Sequence, residues 1–318
     1  MHPLRSTQVA IDWYEDEQTK QLPENAPILI FLHTISGSSE TTCYFSKDAA
    51  KRGYRTCVFV RRGHLGNGAQ LKSPRFNFMG DKEDVKLCCE HVKAKYKDKN
   101  VWIGMIGISA GSGLLISYLG QEYKDTPISA ACCLCPAYAL FPGLKNLRDQ
   151  YKFADNYVLK SVKNKFLYGN DTSKILKKYD YNAYKNCENA TSLYEFAQVA
   201  YKFAGCETLK EYNKLHDPMQ HFKNINIPVF VLNSDDDMCC VKDNVREDLA
   251  NELPNFALVR TKYGGHIAYS EGLFAESTYM SRISLDWMDS CFEYDRGISI
   301  LFNNNTMQDY YLKEAESK

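Results

Sequence analysis

The pentapeptide Gly107-Ile108-Ser109-Ala110-Gly111 constrains this chain more than any other feature. Val101–Ile106, before it, reads as a buried strand; Ser112–Leu119, after it, reads as a helix. In that setting G-x-S-x-G describes a sharp strand-to-helix turn that lifts a serine hydroxyl clear of a sheet. Such a turn brings the residues two before and two after the serine against neighbouring backbone, where a Cβ would clash. Gly107 and Gly111 meet that demand. The turn also aims the N-terminus of the following helix at the hydroxyl, so the Ala110 N–H is an expected oxyanion donor. By itself the pattern could equally be a glycine-rich connection in an ordinary α/β domain. Whether an acid and a histidine follow in order decides between the two.

Both follow. Ile227–Asn233 reads as a buried strand and runs into Ser234-Asp235-Asp236-Asp237. Carboxylates at the C-terminal end of a parallel strand stand on the edge where such sheets keep their chemistry. Phe256–Thr261 is a further strand and ends in Lys262-Tyr263-Gly264-Gly265-His266, whose paired glycines let the histidine turn back over the sheet. Each group is needed. A serine hydroxyl is a poor nucleophile at neutral pH; His266 would take its proton and later return it to the leaving group. The acid would hold the imidazole tautomer and stabilise the imidazolium. Side chains alternate around a strand end, so Asp236 and Asp237 point apart, and both stay open on the residues alone, Asp237 first.

Around these sites strand and helix patterns alternate. Thr7–Trp13, Ile28–His33, Arg55–Val60, Val101–Ile108 and Ala130–Cys135 read as strands; Ser39–Lys51 and Asp81–Tyr96 read as helices. That rhythm means a mostly parallel central sheet with helices on both faces. It breaks from Tyr138 to Phe222, a helix-like stretch dense in aromatics such as Tyr151, Phe153, Tyr157, Phe166, Phe196 and Phe203. The expected organisation is core over 1–137, a helical cap or lid over 138–224, and core again over 225–318, with a covering helix at Met280–Cys291 and a polar tail after it. The cap aromatics are expected to line an apolar acyl channel, helix–helix core packing being the alternative.

On these segments the chain resembles the YheT-like α/β-hydrolases, the group that includes the ABHD1/ABHD3-type serine hydrolases. The resemblance is carried by Leu32-His33-Thr34-Ile35-Ser36-Gly37-Ser38, by Arg61-Arg62-Gly63-His64-Leu65-Gly66 with Ser73-Pro74-Arg75-Phe76 and Gly80-Asp81-Lys82-Glu83-Asp84, by Asn233–Asp237, and by Tyr263–His266. The middle block is the most specific to that group. The resemblance implies an α/β-hydrolase fold, Asp237 as the acid, the Ile35 N–H as second oxyanion donor, and esterase, acylglycerol lipase or phospholipase activity on medium-chain acyl groups. Thr34 stands where the group has glycine, and a positive φ there would strain a residue with a Cβ. Met238 stands where proline or a small apolar residue is usual.

Composition narrows the partners. Formal charge is zero, with 39 acidic and 39 basic residues, which argues against nucleic acid. Met1–Arg5 has no apolar signal region, and no run approaches the ~18–20 apolar residues of a membrane span. Twelve cysteines without a secretory signal suggest reduced thiols, so a cytoplasmic protein is expected, with peripheral membrane contact through the lid. The pairs Cys88-Cys89, Cys132-Cys133 and Cys239-Cys240 lack zinc spacing; no metal, other cofactor or obligate protein partner is expected. The expected activity is hydrolysis of carboxylic esters, above all lipid esters, through an acyl-enzyme on Ser109. The alternatives are a non-catalytic binding protein on the same fold, or a thioesterase or acyltransferase using the same three residues.

Overall fold

A computed structural model describes residues 9–64, 71–97, 99–168, 171–273 and 277–303. In chain order the elements are β1 (Ala10–Trp13), β2 (Ile28–Leu32), α1 (Ser39–Lys51), β3 (Arg55–Val60), α2 (Lys82–Lys95), β4 (Ile103–Ile108), α3 (Ala110–Glu122) and β5 (Ala130–Leu134). A helical block follows: α4 (Leu140–Gln150), α5 (Lys152–Phe166), α6 (Thr172–Tyr179), α7 (Tyr181–Asn189), α8 (Leu193–Val199) and α9 (Leu209–His216). The chain then returns to β6 (Val229–Ser234), α10 (Glu247–Glu252), β7 (Phe256–Thr261), a short ladder of β8 (Ser270–Glu271) with β9 (Ser277–Thr278), and α11 (Tyr279–Asn303).

Seven strands form one sheet in the order β1-β3-β2-β4-β5-β6-β7. β1 is antiparallel to β3 and the other pairings are parallel. The central strands are apolar throughout because helices cover both faces. Ile28, Ile30 and Leu32 of β2 pack with Val85, Cys89 and Val92 of α2 and Leu115 of α3. Leu29 and Phe31, pointing the other way, pack with Phe45 of α1 and Leu285 and Met288 of α11. Nine of the twelve cysteines are buried and act as small apolar residues, seven of them in these two layers and Cys187 and Cys206 in the helical block.

The fold is the expected α/β-hydrolase architecture. α1, β3 and β7 run over the expected residues. β4 begins at Ile103 rather than Val101 because its pairing with β2 starts at Ile28↔Ile103. α11 runs past the expected end to Asn303. Thr7, Gln8, Leu65, Gly66 and the polar tail from 304 lie outside the described residues. The helices between β5 and β6 build a third apolar cluster, which also takes in Phe76 and Phe78. Phe76 stacks on Phe166 and Phe203 at centroid distances of 4.7 and 5.2 Å. The parallel strands bring the ends of β4, β6 and β7 to one edge, beneath this helical block.

Candidate active site

The turn after β4 is as tight as its glycines suggest. Ser109 has φ 54° and ψ −116°, and its N–H donates to the Leu134 carbonyl at 2.8 Å. A Cβ on Gly107 would stand 2.5 Å from the Gly111 oxygen, and one on Gly111 would stand 2.1 Å from the Leu32 oxygen. Neither position has room for a side chain. α3 starts at Ala110, directly after the strained serine, so the Ala110 N–H is one of the orphan donors of the first helical turn. Three of the six non-glycine residues with positive φ among the described residues, Ser109, Cys135 and Ile267, line the same cavity. Backbone strain therefore concentrates at this edge.

The structure brings Ser109, His266 and Asp237 into one chain of hydrogen bonds. Ser109 Oγ lies 2.6 Å from His266 Nε2. His266 Nδ1 lies 3.0 and 2.9 Å from the two oxygens of Asp237. Asp237 is buried and its Oδ1 accepts from the Cys239 and Cys240 N–H groups at 2.7 and 2.8 Å. Burial of the His266 ring works against the imidazolium, but the Cys239 sulfur and the Asp237 carboxylate outweigh it and hold its pKa well above the usual histidine value. A proton leaving Ser109 therefore has a receptive base, and the base has a counter-charge behind it.

Asp236 does a different job, and its residue type alone gave no sign of it. It is exposed, and its Oδ1 accepts the Gly265 N–H at 2.7 Å. Ser234 Oγ donates to the Gly265 carbonyl at 2.8 Å. Together they clamp both sides of the residue before His266. Asp235 pairs with Arg260.

The loop after β2 carries Thr34 and Ile35 to the cavity wall. Thr34 is absent from the described residues of positive φ, so the loop turns without the strain a glycine would have avoided. The tight approach is three residues on, at Gly37, where a Cβ would stand 2.8 Å from Thr34 Oγ1. Beneath the loop lies Arg61, which sequence reasoning placed in a motif without giving it a role. Its buried guanidinium donates to the carbonyls of His33 (3.3 Å), Thr34 and Met79 (3.0 Å). Its Nε has no hydrogen-bond partner, and no carboxylate comes within ion-pair reach of it among the described residues. Burial pushes its pKa down to about 9, so it stays cationic at neutral pH.

The neighbouring histidines are neutral. His33 is held well below the usual value by burial and by Arg61, and His64 is pushed down to about 3 by the same two causes. His33 Nε2 accepts the backbone N–H of Arg61 at 3.4 Å, and Nδ1 lies 2.8 Å from the Thr34 oxygen and 3.2 Å from Arg61 Nη2. His64 Nε2 holds the Ile35 carbonyl at 2.9 Å. The peptide between Thr34 and Ile35 is planar and trans, so pinning the Thr34 carbonyl toward Arg61 turns the Ile35 N–H the opposite way. The rest of that motif block is an ion-pair scaffold: Arg62 with Asp84, and Arg75 with Asp81, which also caps α2.

Ser109 opens onto a cavity of about 220 Å³. Its walls are aliphatic: Leu140, Leu144 and Leu147 of α4, Ala154 and Val158 of α5, and Leu193 of α8. The expectation that cap aromatics line this space is corrected. Among the described residues no Phe or Tyr lines it; Phe166, Phe196, Phe203 and Tyr212 are buried inside the cap, and Tyr151, Phe153 and Tyr157 face outward. An open space inside a packed cap needs short side chains around it, and the rings fill the cap's own core. Met238 lines the cavity, and its carbonyl accepts from Asn146 of α4 at 2.9 Å, tying the cap to the loop that holds Asp237.

Asp237, Cys239 and His266 bring one potential metal-ligating atom each within 4.8 Å of one another. An ion there would have to replace the His266–Asp237 hydrogen bonds, so the donor set suits proton transfer better than metal binding.

Residues 27–273 match the model of the family described as alpha/beta hydrolase fold. The phospholipase ABHD3 of Bos taurus is 27% identical over 299 residues, covering 92% of this chain and 71% of its own. The monoacylglycerol lipase ABHD2 of Mus musculus is 24% identical over 277 residues, covering 82% and 64%. Among solved structures, the esterase EaEST of Exiguobacterium antarcticum superposes with a TM-score of 0.53 at 14% identity, covering 89% of this chain and 96% of its own. The esterase Pf2001 of Pyrococcus furiosus gives 0.51 at 17%, covering 87% and 84%. At such identities the structural likeness speaks for the fold alone.

Proposed function

As the chain belongs to the alpha/beta hydrolase fold family, we propose that it is a serine hydrolase of lipid carboxylic esters that works through an acyl-enzyme on Ser109. One observation carries this above the rest: Ser109 Oγ stands 2.6 Å from His266 Nε2 at an aliphatic cavity. The family relatives that are a phospholipase and a monoacylglycerol lipase direct the substrate class to glycerolipid esters.

His266 takes the Ser109 proton as Oγ attacks the ester carbonyl, and Asp237 balances the imidazolium that forms. The developing oxyanion accepts from the Ala110 and Ile35 N–H groups, with the α3 N-terminus and the Arg61 cation behind them. His266 then protonates the departing alcohol. Water enters, its oxygen attacks the acyl carbon as His266 takes a proton from it, and His266 returns that proton to Ser109 Oγ as the acid leaves. The acyl chain sits between α4, α5 and α8, where each methylene is removed from water. Residues 138–224 act as the cap over this path. No helix among the described residues is long and apolar enough to cross a membrane. The free cysteines suit a reducing, cytoplasmic compartment.

The test is turnover of p-nitrophenyl esters, monoacylglycerols and lysophospholipids by the purified protein and by Ser109→Ala. At least one lipid ester should be cleaved by the former and left at background by the latter. Apolar ligand binding without turnover of any ester would make this a binding protein instead.

A further inference from the structure

We infer that the outward face of α5 is a docking surface for an anionic lipid bilayer and seats the cap on it. α5 has three faces, each with its own surroundings. Asp155, Leu159, Val162 and Phe166 are buried in the cap. Ala154 and Val158 line the cavity over Ser109. The remaining face exposes Lys152, Phe153, Asn156, Tyr157, Lys160 and Asn164. Phe153 is 89% exposed and Tyr157 68% exposed. They stand one helical turn apart, so their rings share one side of the helix. A single exposed apolar residue means little; a ring pair on one turn, with a lysine on either side, is the composition of an interfacial helix.

Charge selects the kind of bilayer. The one carboxylate within this stretch, Asp155, is turned inward and accepts the Leu193 N–H at 3.0 Å. Asp149, just before α5, is paired with Arg148 at 2.7 Å. Among the described residues no carboxylate lies within ion-pair distance of Lys152 or Lys160. The outward face is therefore cationic on a chain whose formal charge is zero, so attraction to anionic lipid would come from this patch rather than from the molecule as a whole. The rings would enter the headgroup region while the lysines reach phosphate oxygens. Because the same helix forms a wall of the cavity, docking would place that wall next to the lipid phase. That last step rests on the reading of the cavity as a lipid-ester site; the surface itself does not.

The test is flotation of the full chain with vesicles of phosphatidylcholine, with and without phosphatidylserine, beside kcat/KM on a water-soluble p-nitrophenyl ester. The protein should bind the phosphatidylserine vesicles and bind phosphatidylcholine alone more weakly. Phe153→Ser with Tyr157→Ser, and separately Lys152→Glu with Lys160→Glu, should each lower the vesicle partition coefficient by about ten-fold or more. Both should leave the soluble-ester kcat/KM at the unsubstituted value, since none of the four side chains lines the cavity. The inference is overturned if the protein fails to float with phosphatidylserine vesicles, or if both double variants float as it does. It is also overturned if sedimentation shows a dimer that the Phe153 and Tyr157 changes dissolve while vesicle binding stays unchanged; the face would then hold a second copy of this chain. Vesicle binding with the expected variant pattern but no ester turnover keeps the surface and removes the hydrolase reading. Turnover without vesicle binding does the reverse.

Discussion

Replacing Asp237 and Asp236 in turn by asparagine separates two adjacent carboxylates with different work. In Asp237→Asn the side-chain oxygen can still accept from the Cys239 and Cys240 N–H groups, at 2.7 and 2.8 Å in the parent. The loop should hold its shape. The amide nitrogen then faces His266 Nδ1, where a carboxylate oxygen stood 2.9 Å away. An amide N–H donates, so the ring must present a lone pair at Nδ1 and carry its proton on Nε2. Nε2 faces Ser109 Oγ at 2.6 Å and can no longer accept from it. By analogy with other triad acids, kcat should fall about 10⁴-fold, or ~5.5 kcal/mol of transition-state stabilisation. In Asp236→Asn the oxygen still accepts the Gly265 N–H and loses only the charge assistance, ~1 kcal/mol, so kcat should fall about five-fold at most. The assay is kcat and kcat/KM on a p-nitrophenyl ester, with melting curves to show that both variants fold. Equal damage from the two changes, or greater damage from Asp236→Asn, would refute the assignment of Asp237 to His266.

Three further outcomes follow from the same geometry. The base must be neutral to act, and His266 is held well above the usual histidine value; kcat/KM should therefore fall with acid along a limb centred above pH ~6.5, and Asp237→Asn, which removes one of the two groups that raise it, should move that limb down. Arg61→Met should lower kcat with little change in KM, because it frees the Thr34 carbonyl and with it the Ile35 N–H, and Arg61→Lys should recover part of the loss; a change in KM alone would make Arg61 a packing residue. On p-nitrophenyl esters from acetate upward kcat/KM should rise by up to ~0.8 kcal/mol per methylene and then stop, and Val158→Phe, which fills the cavity wall, should stop it at a shorter chain; a flat series in both proteins would exclude an acyl site there.

Much of the fold can be read from the chain because local rules and tertiary packing agree. β3 and β7 are apolar runs bounded by polar segments, and α1 begins directly after Ser38, whose side chain caps it by accepting the Thr41 N–H. The elbow is legible because sterics leave no alternative to glycine at 107 and 111. The acid was harder to single out. Alternation tells that Asp236 and Asp237 diverge, but which of them meets His266 depends on the path of a loop from another strand. Arg61 could not be given its place from sequence, since its partners are backbone carbonyls that leave no residue signature. The cap misled in one respect. Aromatic density marks where a helical block packs, whereas a cavity is marked by Gly143, Ala154 and Ala137, residues too short to fill it. Gly143 also lets α4 approach the acid loop, for a Cβ there would stand 2.4 Å from the Cys239 oxygen.

The most direct measurement is the site of covalent labelling by a fluorophosphonate, mapped by peptide mass spectrometry in the full chain and in Ser109→Ala and His266→Ala. The account predicts one adduct, on Ser109, absent from the Ser109→Ala protein and reduced to background in His266→Ala. Labelling that persists without Ser109, or a folded protein that takes no label at all, would contradict it.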